Sequence, residues 1–216
     1  GSRLQNETDE IPKTLVHVMG RPMLDWILDA LAEAGIQRSD VTFVCGYAED
    51  VVRSRYPELS FVRNADWANN NILASLLCAR EQMQDGFLST SADIVYDGAI
   101  TRKLVESEQS ITLGCDTEWQ RRYVERFQHP ESDAEKMRAD GSRVVELSRT
   151  IPRVQAAGEF IDVMKLDQTG ARGLIEAFDA ARQAHGGTVC RGGRTFEKAY
   201  LIDVLQHMIE QGLEVH

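Results

Sequence analysis

The sequence predicts an α/β chain in three layers, α/β/α, with a mostly parallel mixed sheet and an antiparallel insertion in its second half. Short apolar, β-branched runs alternate with segments whose apolar residues recur at helical spacing, the pattern of strand–helix–strand units. Past residue 134 the pattern changes to two extended runs on either side of Asp140-Gly141, a hairpin signal. No repeat, low-complexity tract or linker interrupts the 216 residues, so one domain over 1–216 is expected, and a chain of this length buries a substantial core.

The elements follow in order. Met23, Trp26, Ile27, Ala30, Leu31 and Ala34 mark the first helix, with Pro22 suited to its first turn and Gly35 to its stop. "VTFVCGY" (41–47) is a buried strand, a short helix covers 49–55, and "LSFVRN" (59–64) is the next strand. Ile72, Leu76, Ala79 and Met83 share one face of a helix over 71–84, with Asn69 or Asn70 as its cap. A strand at "GFLSTSAD" (86–93), a helix over 98–107 and a strand at "SITLGCD" (110–116) continue the alternation. In the second half "AEKMRADGSRVVELS" forms the hairpin, and "GEFIDVMKL" (158–166) alternates as a strand. Leu174, Ile175 and Phe178 make 168–185 amphipathic, and a last helix over 199–211 carries Leu201, Val204, Leu205, Met208 and Ile209 before Gly212. The arrangement is Rossmann-like, with helices on both faces of the sheet.

A formal net charge of −10 disfavours nucleic acid or an anionic membrane as the main partner, and leaves room for a small anionic substrate in a local basic pocket. No apolar run approaches membrane-spanning length and no signal-peptide pattern is visible, so a cytoplasmic location is expected. Asn6-Glu7-Thr8 fits the glycosylation sequon, a motif short enough to recur by chance. Cys45, Cys78, Cys115 and Cys190 are far apart without a C-x-x-C pair, and the first three, among apolar neighbours, are expected as buried free thiols. His17, His129, His185, His207 and His216 show no ligand spacing, which argues against zinc.

Ligands of open α/β sheets bind beyond the carboxyl ends of the strands, which singles out the opening loop, the segment 64–75 and Asp93. Gly1 and Ser2 are either the remnant of an expression tag or the end of a loop whose backbone N–H groups turn toward a triphosphate, with Arg3 and Lys13 adding charge. Asn71 and Ser75 read on their own as a polar turn leading into a core helix. Asp93 and Asp97 serve equally well as helix caps, and Arg121, Arg122 and Arg126 balance the acids of a charged, partly helical segment over 114–137.

"GSRL", "TDEIPKTL" and "GRPML" occur in an order and spacing that resemble the nucleotidyltransferases which make activated head groups and sugars. Their opening reads roughly A-A-G-x-G-S-R-L, a variable loop, T-D-x-x-P-K-x-L, then G-x-P-L-L. The resemblance implies a first strand ending in Ala-Ala-Gly ahead of Gly1, and a strand with a second metal carboxylate after His216. It also implies that Gly1 and Ser2 hold the triphosphate and that Arg3 and Lys13 are catalytic. "NILASL" (71–76) matches a helix start that faces the base in cytidylyltransferases acting on small phospho- or phosphonate compounds, which gives Asn71 and Ser75 to the nucleotide. Asp93 matches the position of the family's metal aspartate, and the metal implied is Mg²⁺.

Asp116, Trp119, Tyr123, Arg126, His129, Pro130, Ala134, Glu135 and Lys136 form a string similar to a segment of phosphonate cytidylyltransferases. This implies acceptor contacts for Arg126, Lys136 and Tyr123, because charge-assisted pairs dominate recognition of a doubly charged phosphonate. "GEF" (158–160) extends the resemblance, and Asp162 departs from it by standing where Gly is expected. The reaction implied is attack of a phosphonate such as 2-aminoethylphosphonate or hydroxyethylphosphonate on the α-phosphorus of CTP, with release of pyrophosphate. The alternatives are a sugar-1-phosphate or phosphocholine nucleotidyltransferase and a non-catalytic nucleotide-binding domain of the same fold. The oligomeric state is not legible.

Overall fold

The computed structural model describes residues 11–124, 126, 130–188 and 194–216. Gly1, Ser2, Arg3, Asn6, His129 and Cys190 lie outside the described residues. The chain divides into two compact units, Gly1–Ala68 with Thr90–Ser107 and Asn69–Ser89 with Glu108–His216.

In the first unit a short 3-10 turn, Lys13–Leu15, leads into two strands of two residues each, β1 (His17–Val18) and β2 (Arg21–Pro22). They pair antiparallel across Met19-Gly20, whose φ angles of 50° and 81° supply the left-handed turn such a hairpin needs. The sequence shows only half of that signal, because Met is rare in this conformation. Helix α1 (Met23–Ala32) buries Met23, Leu24, Ile27, Leu28 and Leu31. Pro22 is its cap, one residue before the helical position expected, and Gly35 ends the turn at φ 83°. Strands β3 (Thr42–Cys45) and β4 (Ser60–Arg63) run parallel with Thr42 opposite Ser60. Their crossover passes through α2 (Glu49–Arg55), as the right-handed β-α-β rule requires of a parallel pair. Helix α4 (Gly98–Glu106) packs on α1, with Gly98 facing the Glu33 carboxylate so closely that a Cβ there would collide with it.

The second unit holds α3 (Ile72–Leu77), a 3-10 turn at Arg80–Met83, and a five-stranded sheet in the order β5-β9-β7-β8, with β6 also on β9. These strands are β5 (Gly86–Thr90), β6 (Ile111–Asp116), β7 (Lys136–Asp140), β8 (Arg143–Ser148) and β9 (Gly158–Asp167). Strands β7 and β8 form the expected hairpin across Asp140-Gly141, and β6 and β7 both pair antiparallel with β9. Asp162 adopts φ 57° within β9, which explains why Gly was expected there; Asp is among the side chains that tolerate this region best. Helix α5 (Trp119–Arg122) precedes the hairpin, and α6 (Gln168–His185) and α7 (Leu201–Glu210) pack against each other beside the sheet. Their shared core includes Ile111, Met164, Leu174, Leu205, Met208 and Val215. After α7 the chain extends along the sheet, where Leu113 N–H donates to His216 O at 2.7 Å and Val144 N–H to Val215 O at 2.7 Å.

The cysteines correct one expectation. Cys45 is buried, whereas Cys78 and Cys115 are exposed. A bulge between Leu113 and Cys115 shifts the register of β6 and turns the thiol away from the face that buries Ile111 and Leu113, while Cys78 sits where α3 ends. No helix among the described residues is long and apolar enough to cross a membrane.

Candidate active site

Lys13 opens the 3-10 turn after Pro12, and the next two residues, Thr14 and Leu15, are buried and anchor it. Asp93 lies in the loop between β5 and α4. Asp97, four positions on, accepts from Ala99 N–H at 2.8 Å and caps α4, so the ordinary structural duty falls to Asp97 and not to Asp93. The Lys13 ammonium instead donates to Asp93 Oδ2, with the two side chains 44% and 35% exposed. An ion pair this accessible contributes only about 0–1 kcal/mol, so a stronger ligand for either partner can displace it. Two residues selected for different phosphate-chemistry roles, 80 positions apart, therefore meet in one place within the first unit.

Among the described residues no group of three His, Cys, Asp or Glu side chains gathers in a metal cage. Mg²⁺ is typically held by one or two carboxylates and completes its shell with water and substrate phosphates. Asp93 is a carboxylate of this kind, partly exposed and held by an exchangeable cation.

In the second unit Asn71, and not Asn69 or Asn70, caps α3: its Oδ1 accepts from Ile72 N–H at 2.9 Å, and its Nδ2 donates to Lys198 O at 3.3 Å. Ser75 lies one helical turn on, its N–H bonded to Asn71 O at 3.0 Å. The structure thus moves the capping role expected of Asn69 or Asn70 to Asn71 and adds an anchor on the turn Phe196–Lys198 that the sequence did not disclose.

The three residues expected at the acceptor come together around two further ones. Tyr123 packs edge-on against the buried ring of Trp119, with centroids 6.0 Å apart. The Arg126 guanidinium lies 4.8 Å over the Tyr123 ring, and the Lys136 ammonium lies 5.9 Å from the Trp119 ring. The Tyr123 hydroxyl donates to Glu159 Oε1 at 2.6 Å, and Glu159 stands directly opposite Lys136 in the β7–β9 register. Burial, reinforced by the Glu159 bond, pushes the Tyr123 hydroxyl pKa well up, so it stays a donor. Lys136 is only 5% exposed, and burial lowers its pKa against the pull of Glu131 and Glu159. Glu159 was missed in sequence because it is remote from the 116–136 string; the only signal was the "GEF" that contains it.

The model of the MobA-like NTP transferase domain matches residues 1–176. The CTP:phosphoglutamine cytidylyltransferase of Campylobacter jejuni is 25% identical over 98% of this chain and 85% of its own length. The 2-aminoethylphosphonate cytidylyltransferase of Lancefieldella rimae is 30% identical over 40% of this chain and 35% of its own. Among solved structures, the inositol-1-phosphate CTP transferase of T. maritima superposes with a TM-score of 0.71 at 18% identity, over 99% of this chain and 79% of that one. The CTP:phosphocholine cytidylyltransferase of Streptococcus pneumoniae superposes with a TM-score of 0.64 at 19% identity, over 100% and 83%. These likenesses place the chain in the Rossmann-like α/β fold anticipated from its alternation of elements.

Proposed function

The chain belongs to the MobA-like NTP transferase domain family, and on that premise we propose that it is a CTP-dependent cytidylyltransferase moving CMP onto a small phosphonate or phosphate-bearing acceptor. The observation that carries this reading is the meeting of Lys13 with Asp93. The acceptor class is supported by the cluster of Tyr123, Arg126 and Lys136 in the segment resembling phosphonate enzymes. Relatives named for transfer to phosphoglutamine and 2-aminoethylphosphonate support the same chemistry at a coarser level.

An acceptor oxygen attacks the α-phosphorus of CTP. A new P–O bond forms in line with the α–β bridge, that bridge breaks, and its electron pair leaves on pyrophosphate. No protein nucleophile is required, so catalysis reduces to positioning and charge neutralisation. Lys13 exchanges Asp93 for the triphosphate, a task the sequence resemblance also gives to Arg3, Gly1 and Ser2. Asp93 would hold Mg²⁺, which would offset the negative charge of the phosphates. Asn71 and Ser75 face the base, and Arg126 and Lys136 neutralise the acceptor's phosphorus group while Tyr123, fixed by Glu159, orients it.

Pyrophosphate release tests the reading, using the four nucleoside triphosphates against 2-aminoethylphosphonate, phosphocholine and a sugar 1-phosphate. CTP with a phosphonate is expected to lead. Lys13→Ala is expected to lower kcat/KM by about 10²-fold, roughly 2.7 kcal/mol of transition-state stabilisation. Asp93→Asn is expected to remove the dependence on Mg²⁺ together with turnover. Retention of wild-type kcat/KM in both variants overturns the assignment.

A further inference from the structure

The second unit holds another cationic cluster, to which the reading above gives no task. Tyr200 caps α7, and two guanidinium carbons lie over its ring, that of Arg149 at 3.9 Å from the centroid and that of Arg194 at 4.2 Å. Each arginine has a carboxylate at its Nη end. Arg149 Nη2 donates to Glu135 Oε1 at 2.8 Å, and Arg194 Nη2 donates to Asp203 Oδ2 at 3.1 Å. The Asp203 carboxylate also accepts from Tyr200 N–H at 2.8 Å, so it is shared between the helix cap and the guanidinium.

The Nε atoms of both arginines are buried and have no hydrogen-bond partner among the described residues. A buried charged N–H left without an acceptor is costly, and two in one cluster are not what an ion-pair lock needs for stability. Each Nε–H shares its edge with the Nη2 that Glu135 or Asp203 already holds, so a further carboxylate meeting Nε makes the two parallel bonds of a fork by sharing or taking that acid's place on Nη2. The surroundings tie this cluster to the reaction. Glu135 is the chain neighbour of Lys136, and Asn71 is anchored on Lys198 O, two residues before Tyr200. The cluster is thus joined on one side to the residue assigned to the acceptor's phosphorus group, and on the other to the residue assigned to the base.

We propose that Arg149 and Arg194, held on Tyr200, form a subsite for a carboxylate of the acceptor, so that the acceptor carries a carboxylate as well as its phosphorus group. This rests on the cytidylyl-transfer reading and narrows its substrate class.

A matched pair of acceptors tests it, 2-aminoethylphosphonate and its α-carboxylated counterpart 2-amino-3-phosphonopropanoate, each with CTP and read as pyrophosphate release by the full chain. The carboxylated acceptor is expected to have the higher kcat/KM by about tenfold or more, the scale of one charge-assisted bidentate contact. Arg194→Met is expected to collapse that ratio toward one. Arg194→Lys, which keeps the charge without the fork, is expected to collapse most of it, and decides the matter if the Met variant does not fold. Equal kcat/KM for the two acceptors in the wild type, or a ratio unchanged in the variants, overturns the subsite while leaving the transfer reading intact. Absence of pyrophosphate release from both acceptors overturns the subsite, and its absence with phosphocholine and a sugar 1-phosphate as well overturns the transfer reading with it.

Discussion

Lys136 shows how much a single residue can and cannot disclose. Its place in the string from Asp116 onward marked it as an acceptor contact, but only the fold shows that it is 5% exposed and set over Trp119. Lys13 and Asp93 were likewise each legible from local motif order, whereas their contact across 80 positions was not. Burial lowers the Lys136 pKa first, and Arg149 adds to this, against Glu131 and Glu159. The native state therefore binds fewer protons than the unfolded chain between the lowered pKa and the ordinary value of 10.5, so this residue makes stability rise with pH through that window. Lys136→Met removes the buried charge and is expected to flatten that rise and to increase the urea midpoint near neutral pH. The same change is expected to lower kcat/KM by tenfold or more if the ammonium meets the acceptor. Stability and activity moving in opposite directions is the signature of a group kept for function; a fall in both assigns Lys136 to the core alone.

At the scale of elements, periodicity located most helices and strands, and failed where distant contacts set the ends. The helix expected over 71–84 stops at Leu77 and resumes as a 3-10 turn, with no Gly or Pro in the sequence to announce it. Arg80, at the start of that turn, is held by Asp179 of α6 at 2.8 Å, a partner 99 positions away. The join between α1 and α2 was equally hidden: the hydroxyl of Tyr56, which caps α2, donates to Asp25 of α1 at 2.8 Å. Burial first, and the Asp25 bond second, raise the Tyr56 pKa from 10.0 to about 12. The folded state favours the protonated phenol, so its stabilisation is complete below pH 10 and is lost as pH rises through about 12. Urea midpoints of the wild type and Tyr56→Phe, followed from pH 9 to 12, are expected to converge with rising pH as the wild type loses this contribution. A constant difference across that range excludes the phenol from the pH dependence.

For the whole molecule, the sequence identified an α/β chain with an antiparallel second half, because alternation and the Asp140-Gly141 turn are local properties. Strand order is not local. Nothing near β9 announces that it will take β5, β6 and β7 as neighbours, or that residues 215–216 will bond to β6 and β8. What the sequence does encode is which side chains must leave water, and α7 carries the clearest case. Leu205 is 0% exposed and sits in the core with Leu174, Met208 and Val215, elements joined only by the fold. Leu205→Ala removes apolar surface and leaves a cavity, so it is expected to cost about 2–5 kcal/mol of unfolding free energy. Val154 is 92% exposed, and Val154→Ala is expected to stay within about 0.5 kcal/mol of the wild type. Urea unfolding of both variants reads the difference as a shift in midpoint at constant slope. A small effect at Leu205 places α7 outside the core, and takes from the Tyr200 cluster at its N-terminus the rigid support on which its arginines depend.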